Sequence, residues 1–455
     1  EKMTNVKIEW EAVNSDGFSE RVNLVMASND MPDVILKGVP DITRCSADGS
    51  IIDLTELIEN YAPGISKLFE EWPAIKAGAL SPDGKIYAVP AINTLTPNLT
   101  GHRNLWINKL WLDKLGLDVP ETTEEFVEVL RAFRDGDPNG NGKQDEIPMI
   151  VENGGGKHAP TDQIAASWGL YPNMGYRLRI VDDKVEIYVT SNKWREVLEF
   201  MNLLWKEKLL DNGLYSQTYD VTLAKFNSEI AGVFGLSSDD LWSKYSDHYI
   251  PLPPPRNPHG DPQVIGLSSP YAGPAMVITS ANENPEISIR WIDYFYTEEG
   301  SMFIGCFAPS LEGKTCQRLP DGSYDYTDEM LNDERGISVA VGEVCPLPGG
   351  GFPYWRNENN SNYIYSDTVK KAVPIYEPYY QKEPAYPYPV FSLEDAERVN
   401  DIRRDLDAYI AECEAKFITG EMGFDRWDEY VETCERLGIK ELESYFQKAY
   451  DALAK

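Results

Sequence analysis

The chain has no apolar run approaching the roughly 18 residues of a membrane-spanning helix, so nothing in it predicts a transmembrane segment. Positive charge is scarce: 42 Lys and Arg stand against 74 Asp and Glu, a formal net charge of −32. That surplus repels nucleic acid and anionic membrane and favours neutral or cationic partners. Histidine is rare, and His102, His158, His248 and His259 are too scattered for a metal triad. The six cysteines, Cys45, Cys306, Cys316, Cys345, Cys413 and Cys434, include no C-x-x-C pair and no His at zinc spacing. An even count permits disulfides without requiring them in a chain this long. Buried free thiols are the expectation, and the redox compartment stays open.

Signatures of covalent chemistry are missing too. No G-x-S-x-G elbow is present. "EGKT" at 312–315 ends like a phosphate loop, but Ala308 stands where its first glycine is needed. "GGGKHA" at 154–159 spells G-x-G-x-x-A with no helical pattern after it, and reads as plain loop. Among so many acids no spacing singles out a glycosidase pair. No tandem repeat appears, and no charged, apolar leader precedes Glu1.

What is present is an alternation of strand-like and helical stretches over 455 residues, long enough for two or three domains. "VKIEW", "PDVIL" and "KIYAVPAI" predict strands separated by segments such as "IIDLTELIENY". "NLWIN" runs into "KLWLDKLG". "TTEEFVEVLRAF" then opens with a capping box, Thr122 answered by Glu125. "IPMIV", a hairpin in "RIVDDKVEIYV", a helix from Ser191 to about Asp211 and the strand "IAGVFG" predict a second α/β region. Prolines in "PLPPPRNPHGDP" forbid a regular helix and predict a connector between domains. "AMVIT" and "NPEISIRWIDYFYTEEG" resume the α/β pattern, 307–391 reads as irregular, and the tail is helical from Ser392, with a Ser392/Asp395 box and a break near Gly438.

Two features carry chemistry. In "DPNGNGKQDEIP" an EF-hand-like loop places Asp137, Asn139 and Asn141 at ligand positions one, three and five. Gly142 stands at the turn, the Lys143 carbonyl at seven and Asp145 at nine. Pro148 takes the place of the closing glutamate, so the loop must close early, on Glu146, and cannot run into a second EF-hand helix. The bland alternative is an Asx-rich surface turn without an ion. The second feature is aromatic. Trp106, Trp168, Trp242 and Trp355 sit in or beside Gly-, Pro- or Ser-containing loops, where core packing and ligand stacking are both open. Trp72, Trp194, Trp205, Trp291 and Trp427 lie at helical spacing and are assigned to cores.

These pieces together resemble the family 1 extracellular solute-binding proteins of ABC importers, in particular the lipoprotein-type members. "LVMASNDMPDVIL", "SPDGKIYAVP", "LWINKLWLDKLGLDVPETTEEFVEVLRAF", "DPNGNGKQDEIP" and "FITGEMGFDRWDEYVETCERLGIKELESYFQKAYDA" occur in that family's order. The fourth is similar to the calcium loop of alginate-binding members. The resemblance implies an α/β, two-lobed, periplasmic-binding-protein-like fold of type II with a hinge and a helical C-terminal region. Its lobes would be 1–107 with 268–310, and 108–267 with 311–455. It implies a structural Ca²⁺ on Asp137, Asn139, Asn141, Lys143, Asp145 and Glu146, and a ligand site between the lobes. Lys37 and Asp41 would follow the first strand there, Asp240 and Trp242 the "GVFG" strand, with Trp355 and Arg356 in the late segment. Trp168 and Tyr271 join them from loop position alone. Flat aromatic faces suit the C–H face of a pyranose, and carboxylates, amides and Arg suit its hydroxyls. The expected function is capture of an oligosaccharide, neutral on the charge argument, for a membrane permease. The protein would be a monomer, lipid-anchored at the outer face of the membrane or periplasmic, with no catalysis and no nucleic acid. The rival expectation is a secreted calcium-bearing glycoside hydrolase or polysaccharide lyase, and a third is a receptor for peptides or other solutes.

Overall fold

The computed structural model describes the chain apart from residues 1–4, 14, 29, 37–40, 96–103, 152–160, 172–176, 218, 236–245, 268, 305–306, 308, 321, 334–336, 345–352, 359–366, 383–388, 390 and 454–455. Its strands are β1 (Val34–Leu36), β2 (Val89–Asn93), β3 (Leu105–Asn108), β4 (Ile147–Val151), β5 (Leu178–Val181), β6 (Lys184–Ile187), β7 (Ala231–Gly235), β8 (Tyr249–Leu252), β9 (Tyr271–Ile278), β10 (Cys316–Arg318), β11 (Tyr324–Tyr326) and β12 (Trp355–Arg356). Two four-stranded sheets form, in the orders β1-β9-β2-β12 and β4-β7-β3-β8, beside the hairpins β5-β6 and β10-β11.

Strand direction places the ends that matter. In the first sheet β9 is antiparallel to β1 and β2, and β12 is parallel to β2, with Arg356 opposite Asn93 and Ile92 opposite Tyr271. In the second, β4 is parallel to β7, while β7 and β8 are antiparallel to β3. Leu105 lies opposite both Gly235 and Leu252, and Val151 opposite Gly235. β1, β2 and β12 run the same way, with Asn93 and Arg356 at one edge of the first sheet and Leu36 stopping level with Val89, while Val151, Gly235 and Leu252 share one edge of the second. The chain crosses between sheets at these edges, from Asn93 to Leu105, from Leu252 back to Tyr271, and beyond Arg356 to the helix Asp367–Tyr376. The Tyr376 hydroxyl donates to the Leu105 carbonyl at 2.6 Å.

Every residue of β2, β3 and β7 is buried, as expected for strands covered on both faces. Asn108 ends β3 and caps the next helix, its Oδ1 accepting from Trp111 N at 3.1 Å. The capping box of Thr122 and Glu125 is formed, and Phe126, Leu130 and Phe133 of helix Thr123–Asp135 are buried. Helix Asn192–Lys206 buries Trp194, Val197, Leu198, Met201 and Leu204, each worth about 1.5–3 kcal/mol relative to exposure. Ser392 caps the long helix Leu393–Thr419. That helix and the two after it, Trp427–Arg436 and Ile439–Leu453, share one core with the second sheet.

Several expectations change. "VKIEW" forms no strand. The segment 307–391 is more regular than its composition suggests, containing β10, β11, β12 and the helices Asp328–Leu331, Ile337–Val344 and Asp367–Tyr376. Because β12 pairs with β2, Trp355 and Arg356 belong to the first sheet, although 311–455 was expected with the second lobe; β3, expected to straddle the boundary at 107, lies wholly in the second sheet. Trp72, assigned to a core, is 37 % exposed, whereas Trp106 is buried with its ring edge-on to Tyr376. Cys45, Cys316, Cys413 and Cys434 are buried free thiols, and Cys306 and Cys345 lie outside the described residues.

Candidate functional site

The loop 137–146 joins helix Thr123–Asp135 to β4. Asp137 adopts a left-handed φ of 45°, and Gly140 and Gly142 follow at 76° and 73°, where a Cβ would be strained. Backbone donors orient the side-chain oxygens. Asp137 Oδ1 accepts from Gly140 N at 3.1 Å and Gly142 N at 3.3 Å, Asn139 Oδ1 from Asn141 N at 3.0 Å, and Asn141 Oδ1 from Lys143 N at 2.7 Å. The Asn139 and Asn141 amide groups donate to Asp145 at 2.9 and 3.0 Å, drawing positions three, five and nine together. Lys114 Nζ donates to the Asp137 carbonyl at 3.0 Å.

Glu146 closes the set. Its Oε1 is buried with no hydrogen-bond partner, and burial, followed by the charges of Asp145 and Asp137, pushes its carboxyl above the usual range. A buried, undonated carboxylate oxygen beside two other carboxylates is destabilising unless a proton or a cation neutralises it. Among the described residues no three His, Cys, Asp or Glu stand at metal-holding spacing, so an ion here would also need the amide oxygens of Asn139 and Asn141. Hard oxygen donors of this kind suit Ca²⁺.

The second candidate site is the pair of sheet edges that the crossings join. In open α/β sheets ligands bind beyond the carboxyl ends of strands, where the order switches. Trp355 and Arg356 stand at such an end. The Trp355 ring is half-buried, and its indole N–H donates to Thr94 Oγ1 at 2.9 Å. The Arg356 guanidinium lies 4.7 Å above the Tyr354 ring. Thr94 N donates to the Arg356 carbonyl at 2.9 Å, which ties β12 to the first crossing.

The other expected residues divide. Asp41 caps helix Ile42–Ala47, its carboxylate accepting from Arg44 N at 3.1 Å. Lys37, Asp240 and Trp242 lie outside the described residues. Trp168 is 3 % exposed inside the second core, tilted against Phe200, with its indole N–H donating to Glu196 at 3.0 Å. Tyr271 is 4 % exposed and packs over Gly78, where a Cβ would come 2.7 Å from its ring. Trp168 and Tyr271, expected to present rings to a ligand, are packing residues in this structure. Sequence reasoning passed over Thr94, which fixes the Trp355 ring, and Asn93, 1 % exposed at the end of β2, whose Oδ1 accepts from Leu95 N at 3.1 Å. Their one signal was their place directly after the apolar run Val89–Ile92.

Two sheets joined by several crossings, with carboxyl ends turned toward the crossings, define a two-lobed solute receptor. The sequence profile of the bacterial extracellular solute-binding proteins matches residues 1–302, and the chain belongs to that family. It is similar to the fructooligosaccharide ABC transporter substrate-binding protein FusA of Streptococcus pneumoniae, 29 % identical across 99 % of this chain and 85 % of that one. Solved structures of FusA, one with kestose and one of an EF-hand mutant with fructo-nystose, each superimpose with a TM-score of 0.82 at 28 % identity, covering 99 % of this chain and 94 % of theirs. An extracellular solute-binding protein of Bifidobacterium longum subsp. infantis superimposes at 0.83 with 25 % identity, covering 99 % and 92 %. The alginate-binding protein AlgQ2, solved without calcium, shares the fold at 0.77 and 22 % identity over 97 % of this chain and 89 % of that one. These neighbours establish the type II, two-lobed α/β fold.

Proposed function

We propose that this protein captures a neutral oligosaccharide between two lobes, one built on each sheet, and presents it to the permease of an ABC importer at the outer face of the cell membrane, held there by a lipid anchor and working as a monomer. The observation that carries this reading is the convergence of strand carboxyl ends on the crossings, with Trp355 and Arg356 at one of them. Its half-buried indole offers an apolar face at an orientation already fixed by Thr94, so little entropy is lost when a sugar ring stacks on it. The likeness to FusA, a fructooligosaccharide ABC transporter substrate-binding protein, supports the substrate class. The net charge of −32 supports neutral sugars over uronates, because a polyanion entering this field is repelled. No bond is made or broken; the sugar shifts the lobes toward closure to the extent that it touches both.

We also propose a structural Ca²⁺ on Asp137, Asn139, Asn141, the Lys143 carbonyl, Asp145 and Glu146. The undonated Glu146 oxygen and the chain of oriented Asx oxygens support it. When bound, the ion would neutralise three carboxylates and lock the helix to β4. The ion would replace the Asn139 and Asn141 amide donors on Asp145, so both amides would turn their oxygens toward it while the backbone turn stays as it is.

Calorimetry with kestose, nystose, neutral gluco- and galacto-oligosaccharides and oligogalacturonate tests the ligand reading. Binding of at least one neutral sugar, with contraction by small-angle scattering, is expected. Tighter binding of the uronate overturns the preference, and turnover of any sugar overturns the non-catalytic reading.

A further inference from the structure

We propose that Gln163 and Ser167 are hydroxyl-reading residues of the ligand site, and that they select for uncharged sugar units; this rests on the oligosaccharide reading above. The two residues lie four apart, Gln163 in helix Thr161–Ala165 and Ser167 in the turn of 3-10 helix Ala166–Trp168 that continues it, so they share one face. Gln163 is 6 % exposed and Ser167 1 % exposed, yet Gln163 Oε1 and Ser167 Oγ have no hydrogen-bond partner. A folded protein leaves few such groups, because each forfeits its water without replacement. Two on one helix face form a buried polar pair whose partners are missing, closed off from solvent here and open to a ligand once the lobes part.

Its place supplies the second observation. The Gln163 side chain lies against Gly235, the last residue of β7, where an added Cβ would come within 3.0 Å of Gln163 Cγ and 3.1 Å of Cδ. Gly235 stands at the edge of the second sheet that faces the crossings, opposite Leu105 and Val151. Gln163 is thus beside the carboxyl end where the fold places a ligand, with Ser167 one turn further along the same face. The absence of a side chain at Gly235 is what lets the amide pack there.

The helix is held by everything except these two groups. Arg177 donates to Asp162 at 3.2 Å and to Thr161 Oγ1 at 3.3 Å. Trp168 donates to Glu196, and Val264 N donates to the Ala166 carbonyl at 3.0 Å. Gln163 and Ser167 are therefore fixed in position by their neighbours, as a preorganised contact should be. Gln163 Oε1 can only accept, and Ser167 Oγ can both donate and accept. Neighbouring hydroxyls of a sugar ring satisfy both. A carboxylate can take the Ser167 hydroxyl proton but offers no donor to the Gln163 amide oxygen, which it leaves unmet.

Gln163→Leu and Ser167→Ala, singly and together, separate reading from packing when affinity for the sugars of the calorimetric panel and melting temperature are both measured. Each single variant should weaken the sugars that wild type binds by at least tenfold, while the melting temperature stays unchanged or rises, because an unpartnered polar group has been replaced by an apolar one. Wild-type affinity in the double variant overturns the inference. So does a loss of affinity accompanied by a fall in melting temperature in every variant. If wild type binds no sugar of the panel, the oligosaccharide reading falls and this inference with it; sugar binding undiminished by the double substitution removes the inference alone.

Discussion

Replacing Glu414 by Ala should destabilise the half of the molecule built on the second sheet by about 3–5 kcal/mol, the usual cost of removing one partner from a buried ion pair. Glu414 sits on the long C-terminal helix with its side chain 8 % exposed, facing Arg177 at 15 %. One carboxylate oxygen accepts from both Arg177 Nη1 and Trp194 Nε1, the latter at 3.0 Å, and the guanidinium lies 4.5 Å over the Trp194 ring. Burial pushes the Glu414 carboxyl up, against the pull of Arg177. Alanine leaves the Trp194 N–H without an acceptor, a loss of about 1–3 kcal/mol alone, and leaves Arg177 with Asp162 as its one acidic partner at hydrogen-bond distance among the described residues. Because Arg177 also holds the helix that carries Gln163, sugar affinity should fall with stability in this variant, unlike Gln163→Leu. Glu414→Gln keeps an acceptor for Trp194 and should lose about half as much. Paired Arg177→Met and Glu414→Leu should recover little of the loss, because the Asp162 side chain, 10 % exposed, then loses its guanidinium partner and the Trp194 N–H still lacks an acceptor. Urea unfolding followed by circular dichroism reads these differences. A loss under about 1 kcal/mol for Glu414→Ala would refute the reasoning, since it would mean the carboxylate is not compensating a buried charge.

Chelation should lower the melting temperature, because an ion at 1,000 times its dissociation constant contributes about 4 kcal/mol, and Glu146→Gln should blunt that response; identical melts with and without chelator, with no calcium by elemental analysis, would contradict the site. Trp355→Ala should weaken sugar binding by about 2 kcal/mol or more if the ring is an anchor, with little change in melting temperature. Trp168→Ala should instead cost about 3–5 kcal/mol of stability as a core cavity; calorimetry and thermal melts on the two variants distinguish the roles. The paired hydrogen bonds from Arg131, at 2.6 and 2.5 Å, hold Glu207 below its ordinary value of 4.5. A depressed carboxylate adds stability above its unfolded value and loses it as pH falls through the folded one. Glu207→Gln should therefore cost something at pH 7, under about 1 kcal/mol because both side chains are partly exposed. The cost should vanish in acid, as melts between pH 7 and 2.5 would show.

How far the sequence reveals this molecule depends on how local each cause is. Thr122 with Glu125, and Ser392 with Asp395, marked helix starts because a capping bond spans three residues, and both helices begin there. The loop at 137–146 was legible for the same reason: its oxygens alternate and its glycines fall where φ turns positive. Trp168 misled because Gly169 beside it signals a loop, and that glycine does take a φ of 70°. What buries the indole is the distant Phe200 and Glu196, with the segment between β8 and β9 so near that a Cβ on Gly169 would come 2.9 Å from the Pro262 carbonyl. Tyr271 is buried by Gly78, nearly two hundred positions away in the chain, and no window of sequence contains both. Gln163 and Ser167 invert the error. A polar pair at i, i+4 ordinarily reads as a solvated helix face, yet both residues are buried here, Gln163 against the bare end of β7 at Gly235. Positions that sequence reads as loop aromatics became core, and a polar pair that no sequence pattern singles out became the candidate contact, because burial in a two-lobed fold is decided where distant strand ends meet rather than along any one element.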